Sequence, residues 1–287
     1  VRLLPHLAAR GGADRRADLH EAGYGPGLLA WALDRGLLVA HPGWVVALPG
    51  AAPDVVVARR LRGVLCDASA ARWHDLPVLT APRSTSVAVG RGTSRRALPG
   101  AEVVRRTVPP EHRLDGPPVT TPLATVLDCA RRLPFLDGLA VADAAAHRGL
   151  VTPDDVLRGA AALSGPGARR AREVARLVDP RCESVLETVL RTLLLELRLP
   201  YELQVDLDGV GRVDALVDGR LVVEADGFEH HSRRAEFRED RRRANALVRR
   251  GLPLLRLTYE DLVHRRARTL RLLREAATPA AHRSRSA

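Results

Sequence analysis

Two carboxylates stand inside apolar runs near the C-terminal end of a 287-residue chain. Asp214 interrupts the run 213–217 and Glu224 the run 221–225, positions where a buried strand is normally apolar. Burying two carboxylates close together is costly unless a cation neutralises them. Hard oxygen ligands suit Mg²⁺. Between the runs, Asp218-Gly219-Arg220 is a hairpin signal. A two-residue turn at Asp218-Gly219 would set Asp214 opposite Val223 and send Glu224 to the other face. A three-residue loop, Val217-Asp218-Gly219, sets Asp214 opposite Val222 and puts both acids on one face. Gly219 suits the left-handed third position of that loop, so the odd loop is expected. Asp226, two residues beyond Glu224, shares its face. Glu224→Gln should then relieve carboxylate repulsion and leave the metal-free fold no less stable.

The flanking elements must position these acids. Ser184–Leu197 is helix-like and opens with Ser184-x-x-Glu187, a capping box. Glu187 has a second reading, compatible with the first, in which it points toward the acidic site. Arg191, one turn on, can pair with Glu187. Tyr201–Leu207 alternates as a strand carrying Gln204, and the acidic hairpin follows it. Ser232 opens a helix running to Arg250, with Gly251 as its stop. Phe237, Ala244, Leu247 and Val248 form its expected buried stripe, with Asp240 and Arg241 at the margins, within reach of the site. Arg242 and Arg243 then project toward solvent, and Arg249 and Arg250 read as a solvated face. Leu252–Leu257 is a buried strand carrying Arg256, residues 260–276 a last helix, and 277–287 a disordered tail.

The spacing of these residues resembles the PD-(D/E)XK nuclease superfamily, and more closely the endonuclease-like domains related to the very short patch mismatch repair (Vsr) nucleases. Ser184-x-x-Glu187-x-x-x-Arg191, Gln204, Arg212-Val213-Asp214, Glu224-x-Asp226-Gly227, His231, Asp240-Arg241-x-Arg243, Asn245 and Leu255-Arg256 carry the resemblance. It covers about the last hundred residues. Asp226 stands where the superfamily usually has Lys, and His231 matches a position at which relatives of the mismatch nuclease use His. The resemblance implies a restriction-endonuclease-like core with a mixed sheet, and Mg²⁺ or Mn²⁺ held by Asp214 and Glu224. It also implies His231 as base or water-orienting group and Arg241 on the scissile phosphate of DNA. Glu187, Gln204, Asp226 and Asp240 support that site, and Arg191, Arg238, Arg241, Arg242 and Arg243 contact DNA.

Towards the N-terminus, Ala13–Ala22 reads as a helix, a second helix follows Gly25-Pro26-Gly27, and 37–40 and 44–48 read as a hairpin about His41-Pro42-Gly43. Helix, turn, helix and hairpin is the order of a winged helix. From Gly11-Gly12 to about Pro49 the chain resembles the N-terminal domain of AbiEi-type antitoxins, and residues 51–180 resemble their middle region. That middle region reads as a helix at Val55–Leu65, strands at Val78–Thr80, Ser86–Gly90 and Val103–Thr107, and helices from Thr121-Pro122, Leu139, Thr152-Pro153 and Ala168. The domains expected are therefore 1–50, 51–180 and 181–276, in an α+β multidomain chain.

The formal charge is +11, which points toward nucleic acid. The chain has no Lys, Ile or Met and a single Asn and Gln, so Arg abundance reflects composition, and the clustering of Arg from Arg233 to Arg250 carries more meaning. Cys66, Cys129 and Cys182 are scattered, against both a disulfide framework and a zinc site. No apolar run reaches the ~18 residues of a membrane span. No signal-sequence pattern opens the chain, so the cytoplasm is expected. Two functions fit: a metal-dependent DNA endonuclease, or a non-catalytic DNA-binding regulator or antitoxin, with a cognate toxin as partner, carrying a silent nuclease fold.

Overall fold

A computed structural model describes residues 2–90, 98–226 and 234–278, with side chains from 240 onward in the last stretch. The protein is α+β and divides into two units, Val1–Val178 and Asp179–Ala287.

The first unit opens with α1 (Leu3–Ala9), β1 (Ala13–Arg15), α2 (Arg16–Glu21) and α3 (Pro26–Asp34). β2 (Val39–His41) and β3 (Val45–Ala47) follow, in a sheet of order β1-β3-β2. Leu3, Leu7, Leu19, Leu29 and Val46 pack between the helices and this sheet. The helix expected over 13–22 is in fact β1 followed by α2. Ala13 pairs with Ala47 and Arg15 with Val45, and that sheet pairing overrides the helical propensity of a short Ala-Arg segment.

The same unit continues with α4 (Pro53–Leu61), β4 (Val64–Leu65), α5 (Asp67–Trp73), β5 (Thr85–Val89) and β6 (Ala101–Arg105). The helix expected to reach Leu65 stops early. Arg62 adopts φ +52°, which turns Val64-Leu65 into the sheet beside β5. Val78–Thr80 forms no strand, because the Thr80 N–H donates to the Asp137 carboxylate (2.6 Å) instead of to a sheet neighbour. Four helices complete the unit: α6 (Pro122–Arg132), α7 (Phe135–His147), α8 (Pro153–Ala162) and α9 (Ala168–Ala175). Thr152 and Asp155 form a reciprocal capping box at the start of α8.

The second unit is built as α10 (Val185–Glu196), β7 (Tyr201–Leu207), β8 (Gly211–Val217), β9 (Leu221–Asp226), α11 (Arg234–Arg249), β10 (Leu254–Thr258) and α12 (Arg266–Ala277). The sheet order is β10-β9-β8-β7. β7, β8 and β9 form an antiparallel meander, and β10 returns through α11 to lie parallel to β9. A parallel return needs a crossover of helix length, and α11 supplies it. The expected final helix is broken by a π-type turn over Glu260–His264, where Thr269 Oγ1 donates to the Asp261 carbonyl (2.7 Å). Among the described residues no helix is long and apolar enough to cross a membrane.

Candidate functional site

The acidic site forms where the β8–β9 ladder ends. Val217 pairs with Leu221, Leu216 with Val222 and Ala215 with Val223. Carried one step further, the same register brings Asp214 opposite Glu224. The strands have parted there, and Asp214 Oδ2 accepts the Ala225 backbone N–H itself (2.8 Å). The loop therefore has an odd number of residues, as the pairing of acids requires, but it is Asp218–Arg220 and not 217–219. Asp218 and Gly219 both have positive φ, at 51° and 64°, and the Arg220 N–H reaches the Val217 carbonyl (3.1 Å). These are the marks of a type I′ turn, whose left-handed first position Asp tolerates. The register moves by two residues, so Glu224 and not Val222 faces Asp214.

On the other side of β8, the pairs Leu203↔Ala215 and Val205↔Val213 bracket Gln204 and Asp214, which stand opposite one another. On the far side of β9, Arg256 pairs with Glu224. Gln204, Asp214, Glu224 and Arg256 thus form one row across the sheet, one residue from each strand. Gln204 departs from strand geometry with φ +53°.

Two helices close on this row. On α10, the Ser184 hydroxyl accepts the Glu187 N–H (3.2 Å), so the cap forms. The reciprocal half of the expected capping box is displaced by one residue: the Glu187 carboxylate takes the Glu183 N–H (2.9 Å) and not that of Ser184, and it also accepts from the Gln204 side-chain amide (2.8 Å). On α11, Arg243 donates to Glu224 Oε1 (2.9 Å) and to the Arg212 carbonyl (2.8 Å). Arg256 donates to Glu224 Oε2 (3.1 Å) and to Asp240 (3.1 Å). Both Glu224 oxygens are therefore held by guanidinium groups.

Burial pushes the Asp214 carboxyl up to about 6. The Ala225 N–H works against that rise, and the charges of Glu187, Glu224 and Asp226 add to it. Among the described residues no cation pairs with Asp214, on which the charges of the neighbouring acids converge. Asp240 is held below its ordinary value, chiefly by its hydrogen bond from Arg256. Arg256 is raised in turn, first by Asp240 and then by Glu224 against the cost of its burial. Among the described residues, no group of three or more His, Cys, Asp or Glu is already gathered as a metal-ligand cluster.

The structure brings Asp214, Glu224, Gln204 and Glu187 together, sets Asp226 within electrostatic reach, and ties in Asp240 through Arg256. His231 and Ser232 lie outside the described residues, as do the side chains of Phe237 and Arg238. Two expectations about arginines change. Arg243 points into the site and not to solvent. Arg191 is 3% exposed and hydrogen-bonded with Tyr201, so it is no part of a phosphate-facing surface. Arg242 is exposed but donates to the Gly209 carbonyl (3.1 Å), while Arg241 is exposed at the helix surface. The buried stripe of α11 is also displaced: Ala246 and Leu247 are buried and Val248 is 77% exposed. Arg243, Ala246 and Leu247 share the inward face at helical spacing, because Glu224 draws Arg243 inward. Arg256 was missed as a site residue. Its signal was present, a cation inside an apolar strand, just as Asp214 and Glu224 are anions inside apolar strands.

No family model matches the chain. Two proteins of Mycobacterium tuberculosis, uncharacterized protein Rv2248 of strain H37Rv and uncharacterized protein MT2308 of strain CDC 1551 / Oshkosh, are 30% identical to it over 178 residues. The match covers 60% of this chain and 66% of each relative, a little under two thirds of their length.

Proposed function

We propose that the unit Asp179–Ala287 is a Mg²⁺- or Mn²⁺-dependent endodeoxyribonuclease domain of the PD-(D/E)XK kind, related to the very short patch repair nucleases. The row Gln204, Asp214, Glu224 and Arg256, with Glu187 bonded to Gln204, carries this reading. The order helix, three-strand meander, helix, parallel strand supports it. For the first unit, α1-β1-α2-α3-β2-β3 is the order of a winged helix, which supports a DNA-holding role and an AbiEi-like front.

The donor chemistry fits a hard divalent ion. Asp214 is a half-buried carboxylate whose proton affinity is raised first by burial and then by three neighbouring acids, the condition that a divalent charge relieves. Asp214 and Glu224 would hold it. Such an ion, when bound, supplies charge neutralisation at the scissile phosphate and a lowered pKa for an attacking water. The chain's own groups set the geometry. The Ala225 N–H fixes the rotamer of Asp214, Arg243 and Arg256 orient Glu224, and Gln204 ties Glu187 to the sheet. Arg241 is the cation on α11 assigned to the phosphate, and His231 the group assigned to orient water.

One observation favours a second reading. With guanidinium groups on both oxygens of Glu224 and no Lys in the motif, the site's charge is partly neutralised from within. A silent nuclease fold that binds DNA as a regulator or antitoxin, with a toxin partner, would have this character. Incubating supercoiled plasmid with the protein and Mg²⁺ or Mn²⁺ separates the two. The nuclease produces nicked or linear DNA, and Asp214→Asn abolishes it while duplex binding persists. Duplex binding with no cleavage under either metal establishes the silent module.

A further inference from the structure

The first unit contains a cleft of about 470 Å³ at the junction of three segments: the α1–β1–α2 turn, the end of α4 running into β4, and the loop 113–118. Five arginines line it, Arg10, Arg15, Arg59, Arg62 and Arg113, against a single lining acid, Asp18.

Arg59 forms its floor. Its guanidinium donates to the carbonyls of Ala13 (3.0 Å), Arg10 (3.0 Å) and Gly116 (2.8 Å), which staples the three segments together. Two glycines hold the walls at backbone contact. A Cβ on Gly116 would meet the Ala9 carbonyl oxygen at 2.5 Å, and one on Gly63 the Ala88 carbonyl oxygen at 2.5 Å. The cleft is thus a built concavity and not a gap between surface side chains.

Its charge is only partly answered. Arg10 pairs with Asp14 behind the wall, Arg59 lies 3.5 Å from the same acid, and Arg15 pairs with Asp18. Among the described residues the Arg113 side chain has a neutral partner alone, the Val108 carbonyl (2.8 Å from Nε). The side chain of Arg62, exposed and set at the left-handed end of α4, makes no hydrogen bond or ion pair among the described residues. Five cations against Asp14 and Asp18 leave an excess of three positive charges in a concave site, where field lines concentrate. The planar guanidinium fork matches phosphate oxygens in pairs.

We propose that this cleft binds a small phosphorylated molecule carrying two or more phosphate charges, with Arg62 and Arg113 as its principal contacts. The volume is that of a small-ligand pocket, within the range of roughly 300–1,000 Å³. Val64, Leu114, Pro117 and Pro118 give it an apolar flank suited to the non-phosphate part of such a ligand. A duplex backbone is served by an extended basic face, whereas a concave cleft of this volume is matched to a discrete anion. This proposal stands independently of the nuclease reading.

The test is isothermal titration calorimetry of the full chain with inorganic pyrophosphate, at ionic strength matched with sodium chloride. Wild-type protein binds pyrophosphate saturably, and the R62Q/R113Q variant binds it at least about tenfold more weakly, a loss of about 1.4 kcal/mol. Both side chains are exposed, so the variant keeps its fold, checked by circular dichroism. A parallel titration with 20-base-pair duplex DNA serves as the second arm, and duplex binding by the variant equals that of wild type. Absence of saturable pyrophosphate binding overturns the proposal. So does an unchanged affinity in the variant, or a loss of duplex binding by the variant with none for pyrophosphate, which would assign the cleft to a DNA-holding face.

Discussion

Asp214 concentrates the chemistry of the second unit, and its ionisation has a sign that can be measured. Its folded value, about 6, lies above the ordinary 3.8, so the fold binds the proton more tightly than the unfolded chain does. Stability is therefore lost as pH rises from about 4 to about 6. A displacement of this size is worth about 3 kcal/mol if fully realised. Solvent screening of a half-open side chain leaves about 1–2 kcal/mol. Asp214→Asn keeps an oxygen for the Ala225 N–H and removes the charge. In EDTA at pH 7.5 its urea midpoint should exceed that of wild type, and at pH 4 the two should coincide. A variant less stable at pH 7.5 would make the carboxylate a structural group. Replacing Glu224 should have the opposite effect. Sequence alone suggested that Glu224→Gln would relieve repulsion, but both of its oxygens accept from arginines. Glu224→Gln weakens two charge-assisted bonds, so the metal-free fold should lose about 1–3 kcal/mol. An unchanged urea midpoint would mean that those arginines contribute orientation and no stability.

At the scale of elements, what could be read in sequence was periodicity, and what could not was register and rotation. The apolar runs at 213–217 and 221–225 mark β8 and β9, and the odd loop follows from the cost of separating two acids. The two-residue slip arose because Asp218 itself enters the left-handed region beside Gly219, a conformation that Asp tolerates and that Gly219 alone was expected to supply. On α11 the inward face is offset because a carboxylate on β9 recruits Arg243, an interaction between elements that no local pattern encodes. Gln204 is the plainest such case: nothing in its strand's alternation announces φ +53°. Replacement separates its two roles. Gln204→Ala removes the bond to Glu187 and keeps the backbone strain, whereas Gln204→Gly removes the bond and the strain together. The Gly variant should be the more stable of the two by about 1 kcal/mol, reversing the usual strand order. Urea denaturation of both proteins measures the difference, and the ordinary order, Ala above Gly, would show that this backbone carries no strain.

For the whole molecule the question is how a charge of +11 is distributed, and here composition misleads. The stretch Arg233–Arg250 holds eight arginines, and a uniform basic helix would neutralise as many phosphates. Within the fold several of those charges are spent internally. Arg243 is engaged by Glu224, and Arg250 lies 3.5 Å from Asp208. Arg241, Arg242 and Arg249 remain exposed on α11, and Arg233, Arg234 and Arg238 have side chains outside the described residues. On the proposed DNA-binding reading, the effective number of phosphate contacts expected from this helix is then between three and six. Each neutralised phosphate contributes about −0.9 to the slope of log affinity against log salt on duplex DNA, so, if it holds DNA as proposed, this helix should supply a slope of about −3 to −5 and not −7. Removing the three exposed cations together, as R241Q/R242Q/R249Q, should make the slope shallower by about 2.7. Fluorescence anisotropy with a labelled duplex between 50 and 200 mM salt, roughly the range over which counterion release dominates, measures both slopes. If the triple variant keeps the wild-type slope, the DNA-holding surface lies elsewhere, and the winged-helix-ordered front of the first unit becomes the place to look. If the slope flattens as expected while affinity in low salt stays measurable, α11 holds the backbone beside the row formed by Asp214 and Glu224, where a nuclease needs its substrate.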